Sequence, residues 1–465
     1  MDISELKGKK ITVMGLGLHG GGIGTVRFLS EAGAQVTVTD LKTKEELAPS
    51  LEKIKDLKNV TCVFSQHRPE NFTNTDMVIK TPPAPWSNKH IKLALEKKIP
   101  VEIDSSLFFK LCKNPIIGVT GTKGKTTTAS LIYEILKLAG KNPVKVGIGQ
   151  TSVLDKLKSI KKDSVVVFEL SSWRLSALGR SKMSPQVAVI TNIFPDHLNY
   201  YKSMDSYVAD KKNIFLYQKK EDTCVINNDN EIIKKFESEV KAQLIRFSKN
   251  KILEGKSVYL ENGIIYFNNG IDEKKVIEIE KVKLRGKHNV ENIMAAVAAA
   301  KAVGVKIETI QKAIEEFSGV AHRLETVREL KGVKYVNDTA ATTPEAAISA
   351  LNSFSEPIIL ICGGSDKNLN MEELGKEICS KAKGVVFLKG QATDKIINGM
   401  KKFDACFDVE NLKIVESMDK AVELAKSVSQ EGDIILLSPG SASFGLFLNE
   451  FDRGDKFKQA VEKLK

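Results

Sequence analysis

Short apolar runs alternate with helical patterns in three successive stretches of the chain. Up to about residue 104 the runs KITVMGLG, AQVTVTD, TDMVIKT and PVEID are separated by segments with helical spacing of apolar residues. Such alternation predicts a parallel sheet with crossover helices. A second system opens with NPIIGVTGTKGKTTTASLIYEILKLAG, which reads as strand, glycine-rich loop and amphipathic helix. SVVVFELSS and PQVAVITNIFPDH continue it as buried strands that stop at polar residues. Residues 244–284 look like antiparallel β structure, with turns at Glu261-Asn262-Gly263 and Asn268-Asn269-Gly270. After the helix VENIMAAVAAAKAVG, a third α/β pattern runs through VKYVNDT, PIILICGG, GVVFLKG and DIILLSPG. We expect an α/β protein of three domains, 1–104, 105–319 and 320–465, the outer two Rossmann-like and the central one with a small antiparallel element.

Composition narrows this picture little. At 465 residues the chain exceeds one ordinary core, and about two to four domains suit its length. The start, MDISELKGKK, lacks the apolar segment of a secretory signal. No apolar run approaches the roughly 18 residues of a bilayer span, because Lys301 interrupts IMAAVAAAKAVGV. The cysteines, at 62, 112, 224, 362, 379 and 406, form no C-x-x-C pair. That argues against a disulfide framework or zinc site and suits a reducing, cytoplasmic setting. A net charge of +12 admits nucleic-acid binding. The lysines, however, are interleaved with acids, as in TKEELAPSLEKIKDLK, and read as solvated faces. A positive surplus also helps to collect small anions. Neither a nucleic-acid nor a membrane partner is expected.

Two loops carry the candidate chemistry. Met14-Gly15-Leu16-Gly17-Leu18-His19-Gly20 follows a strand and holds G-x-G-x-x-G, with Asp40 ending the next apolar run. This is the spacing of a dinucleotide-binding turn. Gly121-Thr122-Lys123-Gly124-Lys125-Thr126 lies between strand and helix, where backbone N–H groups cradle phosphates. Lys125 would neutralise the β/γ oxygens and Thr126 would reach Mg²⁺, although Val119 stands where the strict motif has its first glycine. The loop makes the central domain P-loop ATPase-like.

T-G-T-x-G-K-T-T without the outer glycine resembles the ATP loop of the Mur ligases, ATP-dependent amide-forming enzymes of peptidoglycan synthesis and hence of cell-wall biogenesis, cell shape and division. Further matches follow in order: Phe168-Glu169-Leu170-Ser171-Ser172, Asn192…Asp196-His197, Tyr207-x-x-x-Lys211-x-x-Ile214, Gly286-Lys287-His288-Asn289 with Asn292, and His322-Arg323-Leu324-Glu325. The resemblance implies two Mg²⁺ sites served by Thr126, Glu169, His197 and a carbamylated lysine. Register favours Lys211 for that lysine, with Lys212 adjacent. ATP would be held by residues 121–127 (Gly121, Thr122, Lys123, Gly124, Lys125, Thr126, Thr127), Asn289, Arg323 and Asp338, between the second and third domains. Lys125, Glu169, His197 and Lys211 would be catalytic. The N-terminal turn would then take the uridine diphosphate of a sugar substrate, through Gly15, Leu18, His19, Asp40, Leu41 and Lys42.

Ser438-Pro439-Gly440-Ser441-Ala442-Ser443-Phe444 and Arg453-Gly454 resemble the branch of the family that adds D-glutamate. This implies a glutamate site at Thr342, Lys367, Ser443 and Phe451, and a monomer acting on UDP-N-acetylmuramoyl-L-alanine through an acyl phosphate. The chain departs from the pattern at Ala340, Glu450, the loop Thr81-Pro82-Pro83-Ala84-Pro85, Gly147-Ile148-Gly149-Gln150, and the extra glycines 20–22 and 24. Three readings therefore stand beside it: the same ligation with L-glutamate, a folylpolyglutamate synthase-like ligase and, most remote, an NAD-dependent oxidoreductase.

Overall fold

In the computed structural model, the described residues are 1–465 except 19, 83, 149–151, 197, 285, 367 and 404–411. They form two compact units, Met1–Val282 with His288–Phe317, and Lys283–Lys287 with Ser318–Lys465.

The first unit holds two sheets. Strands β1 (Lys10–Met14), β2 (Gln35–Thr39), β3 (Val60–Val63), β4 (Met77–Lys80) and β5 (Val101–Glu102) make a parallel sheet in the order β3-β2-β1-β4-β5. The order reverses between β1 and β4, so the glycine turn after β1 and the proline-rich loop after β4 flank the switch point, where α/β sheets bind ligands. Gly15 has φ +92, and a Cβ there would press on Thr81.

The extra glycines have a packing cause. The helix Gly20–Glu31 begins directly at them. A Cβ on Gly22 would run into the Leu16 carbonyl, and one on Gly24 into Ser152 and the Asp155 carboxylate. Bare backbone lets this helix lie against the turn on one side and the 3₁₀ helix Leu154–Ser159 on the other.

The second sheet has nine strands: β6 (Ile116–Thr120), β7 (Val144–Val146), β8 (Val166–Glu169), β9 (Val187–Ile190), β10 (Thr223–Asn227), β11 (Gln243–Ser248), β12 (Lys256–Glu261), β13 (Ile264–Asn268) and β14 (Glu273–Glu278). Their order is β14-β13-β12-β11-β10-β9-β6-β8-β7. The expected antiparallel region is thus partly corrected. β11 pairs parallel with both β10 and β12, and only β12–β14 run antiparallel. The Asn262-Gly263 turn takes positive φ at both residues, the geometry of a tight hairpin. One buried cluster draws on both sheets and includes Val13, Val26, Phe108, Val153 and Phe168. That shared core explains why the first two predicted domains form a single unit.

The second unit is one sheet of β15 (Glu325–Leu330), β16 (Val333–Asn337), β17 (Ile358–Gly363), β18 (Ala382–Leu388), β19 (Lys413–Val415) and β20 (Ile434–Leu437). Its order is β15-β16-β20-β17-β18-β19, antiparallel only at the β15 edge. β17 and β20 are buried throughout, as central strands covered on both faces must be. No helix among the described residues is long and apolar enough to cross a membrane. Cys62, Cys112, Cys224 and Cys362 are free thiols, whereas Cys379 is disulfide-bonded.

Gly22→Ala places a methyl against a fixed carbonyl, and overpacking of this kind costs roughly 1–3 kcal/mol. A thermal melt should show a fall in Tm of several degrees. An unchanged Tm would contradict the packing role given to this glycine.

Candidate active site

The loop after β6 is fixed by its own glycines and by the end of β9. Gly121 (φ +154) and Gly124 (φ +83) hold conformations that L side chains rarely adopt. A Cβ on the first would strike Thr191, and one on the second Asn292. Asn192 closes the loop twice: its carbonyl accepts from Thr122 N at 2.9 Å and its side-chain oxygen from Lys123 N at 2.9 Å. The Lys125 ammonium donates to the carbonyls of Gly121 and Thr122, both at 3.0 Å. At the start of the helix Lys125–Leu138, the Thr126 hydroxyl donates to Glu169 Oε2 at 2.8 Å. Glu169 ends β8, beside β6, so a hydroxyl and a carboxylate converge at the phosphate loop.

Lys211 sits beneath the same loop. It lies on the helix Met204–Lys212, is 1% exposed, and donates to the Gly121 carbonyl at 2.9 Å. Burial, reinforced by the Lys125 charge, holds its amine well below the usual lysine range. Tyr207, one turn earlier, meets the Thr122 hydroxyl at 3.2 Å. Lys212 instead pairs with Glu239. Of the two lysines, it is Lys211 whose amine reaches the loop. Asn289 is buried and accepts from Asn292 at 2.8 Å, and Thr128 donates to Asn292 at 3.4 Å. Lys123 is 4.0 Å from Asp196.

In the N-terminal sheet, Asp40 is turned inward. Its carboxylate accepts from Leu16 N at 2.9 Å, Gly17 N at 3.1 Å and Lys42 N at 3.0 Å. It clamps the glycine turn rather than reaching outward, while Leu18 and Leu41 stay exposed around it. The proline-rich loop is pinned by Lys80, whose buried ammonium donates to the carbonyls of Ala84 at 2.8 Å and Pro82 at 3.2 Å. Trp86 is flanked by Lys80 at 4.5 Å and Arg180 at 4.2 Å.

In the second unit, Asp338 follows β16 and is buried, accepting from Ser438 Oγ at 2.9 Å and Leu324 N at 3.2 Å. Burial pushes its carboxyl up to about 7, against the opposing pull of these donors and of Arg323. Thr342 is on the same loop, and Ser443 lies buried in the loop after β20. Phe451 packs edge-on against His322, with ring centres 5.6 Å apart. His19, His197, Lys367 and Gly149-Gln150 of the GIGQ segment lie outside the described residues.

Compared with known proteins, the sequence matches the Mur ligase MurD-like N-terminal domain over 9–102, the Mur ligase middle domain over 119–300, and the Mur ligase glutamate ligase domain over 322–440. It is 40% identical to a UDP-N-acetylmuramoylalanine–D-glutamate ligase of Roseiflexus sp. (strain RS-1), covering 98% of this chain and 99% of that one. A ligase of the same name from Clostridioides difficile is 39% identical, covering 99% of this chain and all of the other. The chain belongs to the Mur ligase family. A solved UDP-N-acetylmuramate–alanine ligase from Thermotoga maritima shares the fold, with a TM-score of 0.60 at 22% identity over 98% of this chain and 100% of that one.

Seen as a Mur ligase, the phosphate loop suits ATP and a divalent cation. Its oxygen donors, Thr126 and Glu169, fit a hard ion such as Mg²⁺. Among the described residues no three His, Cys, Asp or Glu side chains gather as a metal cluster. Sequence reasoning overlooked Lys80 and Arg453 as site-building residues, because a cation sealed inside the fold looks no different in sequence from a solvated one. Asn192 and Tyr207 were quoted in motifs without their role in closing the loop.

The raised Asp338 carboxyl has a consequence for stability. The unfolded chain loses this proton in the ordinary aspartate range and the folded chain only near 7. The cost to folding therefore grows as pH rises through that window and is complete above it. Asp338→Asn should raise the Tm of the nucleotide-free protein at pH 8, by roughly 1–4 kcal/mol of stability, and much less at pH 4.5. An equal effect at both pH values would contradict this.

Proposed function

We propose that this Mur ligase joins D-glutamate to UDP-N-acetylmuramoyl-L-alanine with hydrolysis of ATP, a step of peptidoglycan precursor synthesis. The observation that carries the proposal is the gathering of Lys125, the Thr126–Glu169 pair and buried Lys211 around one phosphate loop. The glutamate acceptor is supported by the full-length relatives and by the placement of Thr342 and Ser443 on neighbouring loops. We divide the chain into 1–104 for the nucleotide-sugar, 105–319 for ATP and 320–465 for glutamate, and expect a monomer. ATP as a substrate favours the cytoplasm.

The substrate carboxylate attacks the γ-phosphorus of ATP. The bond to the bridging oxygen breaks, and ADP leaves an acyl phosphate. The glutamate amine then attacks the acyl carbon, an amide forms, and phosphate departs with loss of the amine proton. A carboxylate is a poor electrophile, and phosphorylation gives it a leaving group. The chain's task is positioning and charge neutralisation. Lys125 would swing from its two loop carbonyls to the β/γ oxygens, and the loop N–H groups would hold the phosphates. Thr126 and Glu169 would hold one Mg²⁺, and His197 with Lys211 a second; such ions when bound neutralise phosphate charge. Asn289 would contact adenine, and Arg323 and Asp338 the phosphate and ribose. Gly15, Leu18, His19, Asp40, Leu41 and Lys42 would line the uridine diphosphate site, Asp40 by shaping the turn. Thr342, Lys367, Ser443 and Phe451 would receive glutamate.

Lys211 has a further role in this scheme. A lysine that burial shifts toward its neutral form can attack CO₂, forming an N–C bond and releasing a proton. The resulting carbamate would supply the anion that completes the second Mg²⁺ site.

Purified protein given ATP, Mg²⁺ and UDP-N-acetylmuramoyl-L-alanine should release phosphate on addition of D-glutamate. Release with L-glutamate alone would transfer the proposal to that isomer. No glutamate-dependent release with either isomer would refute it.

A further inference from the structure

Arg453 is the largest fully buried side chain among the described residues, at 0% exposure, and it makes no ion pair with another of them. Its guanidinium donates from Nε to Thr339 Oγ1 at 3.0 Å and from Nη2 to the Thr339 carbonyl at 3.0 Å. Nη1 and Nη2 both donate to the Ser441 carbonyl, at 3.2 and 3.3 Å. A buried charge hydrogen-bonded to neutral acceptors, with the Glu450 carboxylate as its charge partner, is costly, and an apolar side chain of similar size would fill the space more cheaply. What an apolar residue lacks is a rigid fork of donors fixing two backbone segments at once.

Those segments are the loops after β16 and β20. One carries Thr342, three residues beyond Thr339, and the other Ser443, two residues beyond Ser441. Gly440 N donates to the Ala341 carbonyl at 2.9 Å, joining the same loops directly. Ser365, after β17, pairs with Ala442 through bonds of 3.0 and 3.2 Å, so the chain leading to Lys367 is bound to the same assembly. Gly364 permits this approach, since a Cβ there would crowd the Ala442 carbonyl. Thr339 also donates to the Glu450 carbonyl at 2.8 Å, anchoring the loop to the helix Glu450–Glu462 that bears Arg453.

We propose that Arg453 is the positioning residue of the acceptor amino-acid site, setting the spacing between the Thr342 and Ser443 loops without itself touching the substrate. This rests on the glutamate site proposed above. Arg453→Lys keeps the charge but offers one ammonium in place of the fork. Thr339→Val keeps the shape and removes one acceptor.

In steady-state phosphate-release assays, Arg453→Lys should raise KM for glutamate about tenfold or more, since small misplacements of binding groups carry penalties of this order. KM for ATP and for the nucleotide-sugar, and kcat at saturating glutamate, should change little. Thr339→Val should show the same selective rise, but smaller. An unchanged KM for glutamate in both variants overturns the proposal, as does a loss of kcat with all three KM values rising together. Should Arg453→Lys fail to fold, Thr339→Val decides alone. A wild-type protein with no glutamate-dependent turnover would refute the glutamate reading itself, an outcome distinct from either result.

Discussion

A lysine amine sealed beneath a phosphate loop is the constraint on which the candidate site depends. Lys211 spends its hydrogen bond on the Gly121 carbonyl, and that carbonyl is available because Gly121 takes a conformation closed to other residues. Around it the loop is held by Asn192 from the end of β9 and by Tyr207 from the Lys211 helix. Two lysine amines, Lys125 and Lys211, thus share one small loop, and the Lys125 charge adds to the burial that holds the Lys211 amine well below the usual lysine range. An arrangement this costly would relax if the Lys211 amine were free to reach water. Packing of its helix keeps the Lys211 amine buried, whereas Lys125 is only half-buried at the loop.

The same economy of backbone recurs at the other two sheets. Each places its loops where strand order reverses, and each pins a loop with a buried polar side chain: Asp40 on the glycine turn, Lys80 on the proline-rich loop, Arg453 on the acceptor loops. In each case the side chain binds backbone N–H or C=O groups rather than facing solvent. The N-terminal turn shows why a G-x-G-x-x-G pattern cannot name its ligand. Two of its N–H groups are already committed to Asp40, and the added glycines serve helix packing.

Much of the fold was legible because central parallel strands are continuous apolar runs. VVVFE, IILICG and IILL read directly as β8, β17 and β20. The edges were not. β3 and β19 are short, with half-exposed residues that carry no strong period, and β15 pairs across a register shift. The direction of β11 was misread because parallel and antiparallel neighbours can share the same local pattern. Site residues were legible where they fall within one contiguous motif, as Lys125 and Thr126 do. Glu169 and Lys211 needed the resemblance to a family. Lys80 was missed, and Arg453 was quoted in a motif without its buried role, because burial of a charge is decided by tertiary packing.

The central claim, that the amine beneath the phosphate loop takes part in turnover, is tested most directly by Lys211→Ala with Lys212→Ala as its control. Glutamate-dependent phosphate release should collapse in the first, by on the order of a hundredfold, and be partly restored by formate or acetate filling the vacated anion position. Lys212→Ala, which removes the pairing with Glu239 and the ammonium over the Phe236 ring, away from the phosphate loop, should stay near wild type. A Lys211→Ala protein that turns over at the wild-type rate would contradict the account.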